Sequence, residues 1–308
     1  MVCNLLILAA VLLIVQPAHA QTENSTLAEG FQLMRAGNCA PLPELLGPLL
    51  AAKGPNQEPA YRLVSDCYIR TGQTQQAITV LREGLQRIPD SPLLERSLGE
   101  ALLRDHPDST EVGQLLEKAA SALPGDPESH HFYAQWAYLN NREPVCIAEE
   151  KRALNLSGLN DTARLQMHTL KGLCEDRLNQ TQAAQADFEQ SNRLNENSSS
   201  FDPATAFQYA DFLTRRNQDA KAQQILDEII RKSPQYGPAH LSKAKYLDRK
   251  GERDKAIVQA EQALAGQGSD ADGIRAAHVL LARLYFAAGR TAQAEREQQW
   301  VIAHSGNQ

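Results

Sequence analysis

A single segment, Glu58 to Pro89 (EPAYRLVSDCYIRTGQTQQAITVLREGLQRIP), constrains the fold more than any other part of the chain, because its pattern returns at intervals of 34 to 38 residues. Within it Tyr61, Val64 and Tyr68 fall at i, i+3 and i+7, one stripe of a helix, with small Ser65 between them. Gly72 stands where a left-handed residue can end that helix. Ala77, Leu81, Gly84 and Leu85 make a second stripe, and Pro89 stops the second helix. Neither helix can hide its apolar face alone, and the pair only half hides it. Another copy of the same pair is the natural cover.

The copies are in phase. The small residue of the first helix recurs as Gly30, Ser65, Gly99, Ala134, Gly172, Ala210, Ala244 and Ala282. The turn residue recurs as Gly37, Gly72, Asn141, Asn179, Asn217, Gly251 and Gly289, with His106 the exception. The second helix opens at Leu42, Ala77, Val112, Cys146, Ala184, Ala222, Ala256 and Ala294, and closes at Gly54, Pro89, Pro124, Gly158, Pro234 and Gly268. On these residues the chain resembles the tetratricopeptide-repeat family over residues 23–308, in about eight units. The resemblance implies an all-α, right-handed superhelical solenoid of antiparallel helix pairs whose first helices line a concave, partner-binding groove. Pro41, Pro43 and Pro48 predict a short or distorted second helix in the first unit, and Glu150, Glu175 and Gln298 replace the family's usual large apolar residue.

Residues 1–20, MVCNLLILAAVLLIVQPAHA, read as a cleavable export signal with Gln21 as the new N-terminus, although no Lys or Arg precedes the apolar run. An uncleaved anchor is the alternative; no other stretch could span a bilayer. The remainder, 21–308, reads as the solenoid, with Asn195–Asp202 (NENSSSFD) its most loop-like connection and a possible hinge. The expected location is the periplasm or the secretory space.

Chemistry is sparse. Zinc-protease, thiol-redox, nucleophile-elbow and phosphate-loop motifs are all missing, so neither catalysis nor a cofactor is expected. His130 and His131 are adjacent and point about 100° apart on a helix, which prevents joint chelation. Glu149 and Glu150 diverge likewise. A formal charge of −6 argues against nucleic acid as partner.

Four cysteines outside the leader form two pairs of equal separation, Cys39 with Cys67 and Cys146 with Cys174, 28 residues in each case. One member opens a second helix and the other lies late in the next first helix, so both pairs fall on one edge of the stack. We read them as disulfides of an exported protein; four buried free thiols are the alternative. Five glycosylation sequons stand at Asn24, Asn155, Asn160, Asn179 and Asn197.

One further row bears on binding. Two residues before the turn stand Arg35, Arg70, Arg104, Arg177, Arg215 and Arg249, interrupted by Leu139 and Ala287. Each cation complements the dipole of its helix C-terminus by about 0.3–1 kcal/mol. In the family this face meets partners, so the row could also receive carboxylates, with Phe31, Tyr138, Phe207 and Phe286 as apolar contacts. The resulting expectation is a non-catalytic interaction scaffold holding an extended, possibly acidic, peptide or a partner helix. The alternatives are an accessory subunit of an envelope polysaccharide or protein export machine, or a docking subunit of a separate enzyme.

Overall fold

In a computed structural model, residues 18–304 are described; of the expected leader at residues 1–20, residues 1–17 lie outside them and Ala18–Ala20 open the first helix. Those residues form sixteen helices: α1 (Ala18–Arg35), α2 (Leu42–Ala51), α3 (Gln57–Arg70), α4 (Thr74–Arg87), α5 (Pro92–Asp105), α6 (Thr110–Ala122), α7 (Pro127–Leu139), α8 (Glu143–Leu154), α9 (Asp161–Arg177), α10 (Thr181–Asn197), α11 (Pro203–Arg215), α12 (Asp219–Lys232), α13 (Gly237–Arg249), α14 (Arg253–Ala265), α15 (Ala271–Ala287) and α16 (Thr291–Ala303). Among the described residues there is no strand, only one parallel bridge between Tyr236 and Gln267. No described helix is long and apolar enough to cross a membrane.

Local chemistry explains where the helices begin and end. Ser91, Asp126, Asn160 and Asp270 each accept a hydrogen bond from the backbone three residues on, satisfying an N–H that the first helical turn leaves free. At the other end, all seven predicted turn residues have positive φ, from 54° at Asn141 to 79° at Gly251. In α3 the N–H of Gln73 donates to Tyr68 at 2.8 Å and that of Gly72 to Ile69 at 3.1 Å, the paired bonds of a Schellman closure. The same two bonds close α1, α9, α11, α13 and α15. His106 breaks the series in structure as in sequence: α5 ends on one bond from His106 to Leu102, without a left-handed residue. The proline-rich α2 is short, ten residues with Pro48 inside it.

The chain divides into two compact units, residues 1–140 and 141–308. The first holds α1–α7 and the second α8–α16, so the fourth expected hairpin contributes one helix to each. Within either unit a helix packs on the next in sequence, and first helices also touch: α3 on α5, α5 on α7, α13 on α15. Small residues permit this approach. A Cβ on Gly99 would lie 2.6 Å from Leu116 Cδ2, and one on Gly113 would lie 2.3 Å from the Trp136 ring. Leu42, Leu46, Leu63 and Val64 lie in one core of the first unit. In the second unit Phe188, Phe212 and Leu226 lie in one core, and Leu281, Leu284 and Tyr285 in another.

Two departures from the apolar pattern acquire a physical account. Glu175 is buried but receives Lys171 Nζ at 2.6 Å, and Lys171 also pairs with Asp187, which His168 Nδ1 reaches at 2.6 Å. A bonded row of polar side chains thus stands where an apolar side chain was expected. Gln298 is simply exposed. The expected hinge at 195–202 begins inside α10, which runs to Asn197, and is tied across its mouth: Asn195 Nδ2 donates to Asp202 O at 2.7 Å and Asp202 N donates to Asn195 Oδ1 at 2.8 Å.

Candidate partner-binding face

Residues three before, one after and five after the small residue of a first helix are spaced by four, so they share a stripe. In α3 this stripe is Arg62, Asp66 and Arg70; in α5 it is Arg96, Glu100 and Arg104; in α1 it is Leu27, Phe31 and Arg35. The triad Arg–acid–Arg repeats after 34 residues, a signal present in the sequence that attention to the arginines alone passes over.

Arg96 is buried and directs Nη1 to Asp126 at 2.7 Å and Glu128 at 3.0 Å, at the start of α7. Its Nε and that of Arg62 have no hydrogen-bond partner among the described residues. Asp66 and Glu100 are half-buried, and neither has a hydrogen bond among the described residues. The nearest cation to Glu100 is Arg104 Nη2, at 3.9 Å. Burial pushes the Asp66 carboxyl up, against the pull of Arg62 and Arg96. Burial, then the negative charge of Asp66, pushes Glu100 up to about 7. Arg35 and Arg70 carry no ion pair or hydrogen bond through their side chains among the described residues. Beside Arg35, Phe31 is 44% exposed.

The arginines of the second unit are engaged. Arg177 Nη1 lies 3.4 Å from Glu143 on α8, and Arg249 Nη2 lies 3.5 Å from Asp219 on α12. Arg215 donates to buried Asp176 on α9 at 2.5 Å and to Asp211 at 2.9 Å, while neighbouring Arg216 donates to Asp176 at 2.7 Å. Burial pushes Asp176 up, but the bonds from Arg216 and Arg215 outweigh it and hold the carboxyl below its ordinary range. Most of these bonds join a hairpin to the one before it.

The expected aromatic contacts do not follow that division. Phe286 is 73% exposed, whereas Phe207 is partly buried and meets Tyr236 edge-on, with ring centroids 5.9 Å apart. Tyr138 is partly buried. Trp300 closes the described C-terminal end, stacked between His278 at 3.7 Å and His304 at 4.0 Å.

Both cysteine pairs are buried and stand at disulfide distance, with Cα–Cα separations of 5.5 Å for Cys39 and Cys67 and 6.4 Å for Cys146 and Cys174. Each would tie a second helix, or the turn entering it, to the next first helix. All five sequon asparagines are exposed.

One ordered feature escaped sequence reasoning. Histidines four residues before the small residue bond through Nδ1 to a side chain 19 residues on: His168 to Asp187, His240 to Gln259 and His278 to Glu297. The constant spacing could have revealed them, since it links one rung of a first helix to one rung of its second. Among the described residues no group of three or more metal-ligating side chains converges.

No protein-family model matches the sequence, and no curated protein matches it. Solved structures do. A tetratricopeptide repeat protein from Parabacteroides merdae aligns over 86% of this chain and 99% of its own, at 12% identity and a TM-score of 0.60. The apo form of the quorum sensor NprR from B. thuringiensis aligns over 91% of this chain and 86% of its own, at 12% identity and a TM-score of 0.66. PilF of Pseudomonas aeruginosa aligns over 67% and 90%, at 21% identity and a TM-score of 0.57. Identities this low speak to fold alone, and on fold the chain is a tetratricopeptide-repeat-like stack of helix hairpins.

Proposed function

We propose that the protein is a non-catalytic interaction scaffold whose first unit holds an extended acidic peptide, or an acidic face of a partner helix, against α1, α3 and α5. The observation that carries this reading is the contrast within the arginine row. Arg35 and Arg70 have no side-chain partner among the described residues and Arg104 has only a 3.9 Å approach, whereas Arg177, Arg215 and Arg249 are ion-paired. A guanidinium already bonded to a carboxylate has less to offer a ligand; an exposed one without a partner can receive a carboxylate through two donors. Phe31 adds apolar contact at the edge of the same stripe. The net charge of −6 favours a protein partner over nucleic acid, with attraction for an anion confined to the arginines. The two cysteine pairs at disulfide distance support an oxidising compartment, hence an exported protein acting in the periplasm or secretory space.

The test divides the row. A capped oligo-aspartate peptide is titrated into the full chain and into two triple variants, Arg35→Gln/Arg70→Gln/Arg104→Gln and Arg177→Gln/Arg215→Gln/Arg249→Gln. The first triple should keep its helicity, melt only modestly earlier and lose peptide affinity by at least about tenfold. The second should melt earlier and still bind. Equal affinity of the first triple and the parent protein would remove the groove and leave the arginines as dipole partners only.

A further inference from the structure

The same face carries two carboxylates that an acidic partner should not welcome. Asp66 and Glu100 occupy the same position in neighbouring first helices that touch, α3 and α5. Both are half-buried, both lie on the stripe between arginines, and neither has a hydrogen bond among the described residues. Asp176 receives two guanidiniums at 2.5 and 2.7 Å; the nearest cation to Glu100 stays at 3.9 Å. We infer that Asp66 and Glu100 form a proton gate on the first unit, so that an acidic partner segment is held more tightly when Glu100 carries a proton. The inference rests on the groove reading above and adds its regulation.

The surroundings single out Glu100. Its own helix offers Arg96 and Arg104, but Arg96 is engaged by Asp126 and Glu128 and Arg104 stays 3.9 Å away. From α3 it faces the negative charge of Asp66, and from α7 that of Glu128. The neighbouring α4 and α6 commit charges elsewhere: Arg82 to Glu111, Arg87 to Glu83, and Lys118 to Asp90 and Glu95. Burial and these like charges together hold its carboxyl near neutrality, up to about 7. A proton on Glu100 removes one of the two negative charges that offset Arg62, Arg70 and Arg104. An incoming carboxylate then meets a more positive face. By linkage, a bound acidic segment must in turn raise the affinity of Glu100 for its proton. His131, which bonds Gln135 on α7, and His106, just beyond α5, must be separated from Glu100 by experiment.

The probe is the same capped oligo-aspartate peptide, whose charge is constant between pH 8 and 5.5. Affinity for the full chain is measured at both pH values at one ionic strength. The parent protein should bind between about two- and tenfold tighter at pH 5.5, the size expected for one screened charge at this range. Glu100→Gln should already bind at pH 8 as the parent does at pH 5.5, and lose most of the pH dependence. Asp66→Asn should move the midpoint to lower pH, because it removes the charge that helps keep Glu100 protonated. Parental pH dependence in folded Glu100→Gln, or no pH dependence in the parent, overturns the gate. If the arginine triple still loses affinity in that case, the groove reading stands without it. Absence of peptide binding at either pH overturns both.

Discussion

The two units use the same residue at the same place for different ends. In the second, the arginine closing a first helix reaches back to the preceding hairpin or helix: Arg177 to Glu143, Arg215 to Asp176, Arg249 to Asp219. In the first, Arg35 and Arg70 make no ion pair or hydrogen bond through their side chains among the described residues, and the acids of their stripe remain without close partners. A stack whose hairpins are pinned by inter-hairpin ion pairs gains rigidity but has few free charges. Arginines left loose, as Arg35 and Arg70 are while Arg82 and Arg96 of the same unit are paired, stay available to a ligand, at the cost of burying carboxylates that are poorly compensated. The difference teaches that position in a repeat does not assign a role; the partner in the adjacent hairpin does.

The largest test of this contrast concerns the element the units share. Each cysteine pair spans 28 residues, so converting Cys67 or Cys174 to Ser should cost about 3.5 kcal/mol in the chain-entropy treatment of the closed loop. Peptide mapping without reductant should recover Cys39 with Cys67 and Cys146 with Cys174. Crossed pairing, or four alkylatable thiols, would deny both units this brace.

Next in size is the ion pairing itself. Asp176 is 7% exposed and receives two guanidiniums, so Asp176→Asn should cost on the order of 3 kcal/mol in denaturant unfolding. Arg70→Gln, which breaks no bond, should stay within about 0.5 kcal/mol. Similar costs for the two substitutions would erase the distinction between braced and loose arginines.

The smallest effect is one of sign. The Glu100 carboxyl lies near 7 in the folded chain and at its ordinary 4.5 unfolded, so between these values the folded state holds the extra proton. Stability should therefore be greatest below about 4.5 from this group, fall as pH rises through that window, and level off above about 7. Glu100→Gln should flatten that slope and leave the variant more stable than the parent at pH 8, by on the order of 2 kcal/mol. A parent whose stability is level or rising across the window, with no gain in the variant, would show Glu100 to be well compensated.

Much of the architecture was legible because it rests on short-range physics. The seven left-handed turn residues, the short proline-bearing α2 and the pairing distance of the cysteines follow from backbone sterics and a repeat period, both written locally. The site was less legible. The arginine row was visible as a row, but nothing in its spacing separates Arg70, which makes no ion pair or hydrogen bond among the described residues, from Arg215, which is bonded to Asp176 39 residues away. The histidine rungs and the Arg62–Asp66–Arg70 and Arg96–Glu100–Arg104 triads were likewise present as letters whose partners lie on other helices.

By itself the sequence determined a stack of helix hairpins, where each helix ends, and which faces are apolar, since periodicity and turn sterics act over a few residues. Tertiary structure alone decided that the stack forms two compact units dividing inside the fourth hairpin, that Glu175 is held by Lys171, and which arginines are ion-paired. The physical reason is that a charge acts through distance, burial and competing partners. All three are set by how hairpins pack, after the local rules have been satisfied.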